Sequence, residues 1–109
     1  MIEVKVGGLA YDEKTKSHVV FLRETSGSRV LPIWIGPAEA SAIAMEIAGK
    51  KFQRPLTHDL LATIVKGLRA RVSKIVISDL RENTFYASIV LERDKDKEVV
   101  NIDARPSDS

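Results

Sequence analysis

Two short runs hold the side chains best suited to chemistry, Thr57-His58-Asp59 and Asp103-Ala104-Arg105-Pro106-Ser107-Asp108-Ser109. In the second, Asp103 and Asp108 could converge on a divalent cation such as Mg²⁺ or Mn²⁺, and the arginine between them, Arg105, could grip a phosphate with both arms of its guanidinium. A hard cation, a base for water and a positive group opposite the developing charge are what phosphodiester hydrolysis requires. In the first run a neutral imidazole at His58 could act as that base or ligate a metal, with Asp59 orienting it. Structural alternatives stand beside each role. An acid such as Asp59 in the first turn of a helix meets the positive end of the helix dipole, and an exposed histidine needs no function. Asp103 and Arg105 could pair with each other while Ser107 and Asp108 cap a helix start. Glu39, in the first turn of an earlier helix, is a weaker addition, and His18, without polar neighbours in the sequence, is assigned no role.

Charge is the second signal. Lys and Arg number 17 against 15 Asp and Glu, a net +2 too small to imply a polyanionic partner. The excess is concentrated between Lys50 and Lys74, where Lys50, Lys51, Arg54, Lys66, Arg69, Arg71 and Lys74 face one acid, Asp59. Gathered on one face, Lys50, Lys51, Arg54, Arg69 and Arg71 would form a nucleic-acid-binding patch; spread out, they would simply solvate the surface. Base stacking needs exposed rings, and only Phe52 and Tyr86 are placed for it, with packing at the core or rim as the alternative.

Other classes are excluded. A chain without cysteine has no disulfides, zinc ribbon, iron–sulfur cluster or thiol nucleophile, and fits a reducing compartment, the cytoplasm by default. No apolar run approaches the ~18 residues of a membrane helix, so no membrane partner is expected. Phosphate loop, dinucleotide fingerprint, HExxH and nucleophile elbow are absent, and no organic cofactor is expected.

The elements that must position these residues follow from periodicity. With 109 residues the chain is expected to be a single domain, 1–109. Ile2, Val4 and Val6 alternate as a strand that Gly7-Gly8 would end. His18–Glu24 and Arg29–Ile35 read as a hairpin around Thr25-Ser26-Gly27-Ser28, with Pro32 placing the second arm at a sheet edge. Pro37 opens an alanine-rich helix running towards Gly49. Thr57 is a candidate N-cap for a second helix with the stripe Leu60, Leu61, Ile64, Val65, Leu68, and Gly67 marks its end. Arg71–Leu80 and Thr84–Arg93 form another hairpin, and Glu98–Ala104 a last strand, with Asn101, Asp103 and Arg105 on one side. The residues after Arg105 resemble a helix opening, with Ser107 as its cap. The fold class is α+β: a largely antiparallel sheet of two hairpins or a meander, with two short helices between the strand groups.

Several of these runs together resemble one family. Leu31-Pro32-Ile33-Trp34-Ile35-Gly36-Pro37-Ala38-Glu39-Ala40, Arg54-Pro55-Leu56-Thr57-His58-Asp59-Leu60-Leu61, Asp79-Leu80, Thr84-Phe85-Tyr86-Ala87 and Asp103–Ser109 are similar, in order and spacing, to the bifunctional nuclease domain family of bacteria and plants. The resemblance implies a nuclease acting on single-stranded or structured RNA or DNA, with His58, Asp59, Asp103, Arg105 and Asp108 as the matching site residues. It also implies a domain cut short after Ser109, since the family's last motif continues into a helix and a strand. The alternative is a non-catalytic module, a homo-oligomeric scaffold (a dimer in the simplest case) or a ligand- or nucleic-acid-binding domain, because small α+β domains with apolar edges often self-associate symmetrically.

Overall fold

A computed structural model describes Met1–Ser109. Three strands open the chain: β1 (Val4–Asp12), β2 (Ser17–Glu24) and β3 (Val30–Ile35), paired antiparallel in that order. β1 does not end at the glycines. Its register shifts between Val6 and Gly8, so one extra residue is accommodated as a bulge, and Gly8, at φ 146°, takes a conformation that a side chain resists. The bulge keeps the apolar phase: Val6 pairs with Leu22 and, three residues later, Leu9 pairs with Val20. Adjacent residues of the central strand, Val19 and Val20, point to opposite faces and are both buried, which means that β2 is covered on both sides. Pro32 lies on the edge strand β3, opposite Phe21. Helix α1 (Pro37–Ile47) starts with proline at its first turn and packs on β2, where its alanines permit close approach and Ala40 is buried.

These elements make up one compact unit, Met1–Lys50; the second is Lys51–Ser109. It begins with α2 (Thr57–Gly67). Thr57 is the first helical residue rather than the cap; extended Leu56 occupies that position, and the Asp59 carboxylate accepts its amide N–H at 3.0 Å. Gly67 is still helical, and the reversal comes two residues later at Arg69, φ 59°, whose N–H donates to the Lys66 carbonyl. β4 (Ala70–Arg81), β5 (Thr84–Arg93) and β6 (Val99–Ala104) form the second antiparallel meander. Glu82 (φ 48°) and Asn83 (φ 63°) are both left-handed, the signature of a two-residue turn whose twist matches its strands.

Cross-strand partners share a face of a sheet. Ile75–Ile89–Ile102 and Val72–Leu91–Val100 are rungs of an apolar face, whereas Asp79–Tyr86 and Val76–Ser88–Asp103 belong to the other. Two irregularities in β4, between Val72 and Lys74 and between Ile77 and Asp79, keep the apolar residues in phase. Only Ala87 and Val90 are buried in this unit. The chain closes in a 3₁₀ turn, Pro106–Asp108, with Arg105 rather than Ser107 at the cap position. The α+β, antiparallel architecture expected from the sequence is thus the one observed, as two three-stranded sheets.

Candidate functional site

Both chemically equipped motifs lie in the second unit. At the start of α2 the His58 imidazole Nε2 is 3.7 Å from Asp59 Oδ1, and both side chains are close to half exposed. The second Asp59 oxygen receives the Leu56 amide, and the Thr63 hydroxyl donates to the Asp59 carbonyl at 3.0 Å. One carboxylate therefore closes the helix start and lies near the histidine.

At the C-terminal turn Arg105 Nε donates to Asp108 Oδ2 at 2.7 Å and its Nη2 donates to Oδ1 at 3.0 Å, a two-point ion pair with the acid three residues on. Ser109 Oγ adds a hydrogen bond to the Arg105 carbonyl. Asp103 lies on β6 opposite Ser88. No three His, Asp or Glu side chains converge as a metal-ligand set. With both Asp108 oxygens engaged by the guanidinium, a cation or a phosphate enters this turn by opening or sharing that pair. Two carboxylates would be enough only for a cation of the Mg²⁺ kind, which takes one or two and completes its shell with water and substrate phosphate.

Register adds residues that the sequence motifs did not single out as a group. Asp79 on β4 stands opposite Tyr86, and Ser88, two residues further along β5, stands opposite Asp103, so all four share a face. Arg81 Nε donates to Asp79 Oδ2 at 2.6 Å, and its guanidinium carbon sits 5.1 Å from the centre of the Tyr86 ring. Arg81, first, and the Leu80 amide hold the Asp79 carboxyl below its usual range. The turn carrying Arg105 and Asp108 contacts β5. Arg81 was missed because its role depends on which face the strand presents there, and the irregularity before Asp79 sets that face.

The basic residues fall in separate stretches of the chain. Lys50 ends the first unit, and Lys51 and Arg54 are exposed before α2. Arg69 and Arg71 follow that helix, whose 11 residues span about 16 Å. Arg71 donates to Glu92 at 2.9 Å, and Arg69 lines a shallow pocket of about 280 Å³ with Leu68, Arg93 and Lys95. In the first unit, the Glu39 carboxylate folds back over its helix start: a Cβ on Gly36 would lie 2.5 Å from Glu39 Oε2. His18 places its ring against Tyr11 across β1 and β2, 4.9 Å between centres. No helix is long and apolar enough to cross a membrane.

A sequence-family profile described as the bifunctional nuclease domain matches residues 20–109. Two proteins of Mycobacterium tuberculosis, from strains CDC 1551 and H37Rv and both described as uncharacterized, are each 43% identical over 109 residues. The match covers all of this chain and 63% of each relative's length.

Proposed function

Since the chain belongs to the bifunctional nuclease domain family, we propose that it hydrolyses phosphodiester bonds in single-stranded or structured RNA or DNA, working from the polar end of the second sheet. The observation that carries this reading is the convergence on one sheet face of Asp79, Tyr86, Ser88 and Asp103, beside the turn that holds Arg105 and Asp108. In this reading a scissile phosphate exchanges places with Asp108 on Arg105, whose planar fork suits phosphate and carboxylate alike. The exchange frees a carboxylate as negative charge arrives and leaves the guanidinium facing the phosphoryl oxygens, where charge grows in the transition state. His58, oriented by Asp59, is the candidate acceptor of the proton from attacking water. A divalent cation bound by Asp103 and Asp108 would further neutralise the phosphate.

The test is incubation of labelled single-stranded RNA and DNA with Mg²⁺, Mn²⁺ or EDTA, beside an Asp103→Asn/Asp108→Asn double variant purified identically. The expected result is metal-dependent cleavage by the wild type, at least ~100-fold slower in the variant, with both proteins equally folded. Equal cleavage by both, or none by the wild type, overturns the reading.

One observation favours the second reading, a homo-oligomeric module. The accessible surface is 8565 Å². A compact 12.1 kDa monomer exposes about 6,000 Å², and even two separately compact bodies of half that mass would expose only about 7,300 Å². The excess is in the range that one protomer of a stable dimer hides, roughly 800 Å² or more. Apolar side chains are among what is exposed: Leu60, Leu61 and Ile64 of α2 and, just after it, Leu68, at 73%. A second copy of this chain is the proposed cover. Sedimentation at micromolar concentration is expected to show a dimer that Leu61→Glu/Ile64→Glu dissociates; a wild-type monomer there overturns the assembly.

A further inference from the structure

Tyr86 is an aromatic ring on the polar side of a sheet. It is 39% exposed, whereas Ala87, its neighbour on the opposite face, is 1% exposed. Core packing thus does not account for it. Arg81, the last residue before the hairpin turn, reaches back so that its guanidinium carbon lies 5.1 Å from the ring centre, and Asp79, the cross-strand partner of Tyr86, fixes that guanidinium by a 2.6 Å hydrogen bond. The Ser78 hydroxyl donates to the Tyr86 carbonyl, tying the irregular residue of β4 to this position. On the β6 side, Ala104 pairs with Ala87, so the chain delivers Arg105 at the level of Tyr86. A ring and a pinned guanidinium, two π surfaces in contact, therefore lie beside an arginine able to hold a phosphate.

Flat π surfaces beside a cation suit a nucleobase that is not already stacked in a duplex. We propose that Tyr86, backed by Arg81, is a base-stacking platform that selects single-stranded nucleic acid, an inference that rests on the nucleic-acid reading above. A base laid on this surface puts its own backbone at the edge of the sheet where Asp103 and Arg105 lie. Stacking is indifferent to base identity, so the platform discriminates strandedness rather than sequence.

The experiment is fluorescence anisotropy in EDTA with three labelled probes: a single-stranded 12-mer, the same 12-mer built of abasic sites, and a 12-bp duplex. Wild type is expected to prefer the single strand. Tyr86→Ala should weaken that binding about 10-fold, in line with base–aromatic stacking, and leave the abasic and duplex affinities unchanged; Tyr86→Phe should stay within about 2-fold of wild type, since the ring alone stacks. Thermal melts of both variants separate loss of stacking from loss of fold, and a Tyr86→Ala protein that melts early leaves Arg81→Ala, expected to weaken only the single-strand affinity, as the deciding variant. If wild type binds the 12-mer and the folded deciding variant binds equally well, the platform is overturned and the nucleic-acid reading survives. If wild type binds none of the probes, both fall.

Discussion

The two halves of this chain share one plan, a three-stranded antiparallel meander with a single helix, and use it differently. In Met1–Lys50 the central strand is buried on both faces: Val20 pairs with Ile33 on one, Val19 lies on the other, and Ala40 is buried in α1, which packs on this strand. In Lys51–Ser109 only Ala87 and Val90 are buried, the apolar stripe of α2 is open, and one sheet face carries carboxylates, an arginine and a tyrosine. A three-stranded sheet needs a covered face for independent stability. In the first unit both faces of β2 are covered; the second leaves most of its apolar residues exposed, and all the candidate chemistry except Glu39 and Lys50 lies there.

The contrast is broken most forcefully at the core. Ile33→Ala is expected to destabilise by about 2–5 kcal/mol, whereas Ile64→Ala on the open helix should cost under about 1 kcal/mol in the monomer. Chemical denaturation of both variants checks this; equal losses would mean that the two units are equally well packed. Next in size is Asp59→Ala, which removes the acceptor of the Leu56 amide and should cost about 1 kcal/mol, read by the same titration, while lowering cleavage further than Asp59→Asn. The smallest effect concerns charge at the β5–β6 turn. Arg93 is in hydrogen-bond contact with Asp96 and holds its carboxyl down to about 2. A depressed carboxyl contributes stability that is present above its ordinary value near 3.8 and is lost as pH falls towards 2. Because the pair is exposed, the contribution is slight. NMR titration should place Asp96 near 2 in the wild type, and Arg93→Ala should raise it towards its ordinary value, the Glu98 amide still holding it partly down; no change would remove Arg93 as the cause.

Element types were legible in the sequence because the apolar spacing was regular, and so was the fold class. Boundaries were less so. Gly7-Gly8 read as a stop but forms a bulge, since glycine serves both purposes. At the helix ends, backbone geometry chose Leu56 over Thr57 and Arg69 over Gly67. In β4 the apolar residues Val72, Ile75, Ile77 and Leu80 are spaced three, two and three apart, and both gaps of three are the register irregularities. Strict alternation would have placed Asp79 with Ile77, on the side away from Tyr86. Among the site residues, types and positions could be read but pairings could not: Arg105 has acids on either side in the sequence, and only the tight turn after Pro106 decides in favour of Asp108.

The two-residue turn at Glu82–Asn83 also orders events in time. It asks the chain to close the shorter of the sheet's two strand connections, against five residues between β5 and β6, and short loops close at the lowest entropic cost. The β4–β5 hairpin is expected to form first, within microseconds, and to carry Asp79, Arg81 and Tyr86 already in register. Asp103 and the Arg105–Asp108 turn arrive afterwards with β6. Pulsed hydrogen exchange during refolding would then protect the amides of β5 facing β4 before those facing β6, so that the platform matures before the carboxylates it serves.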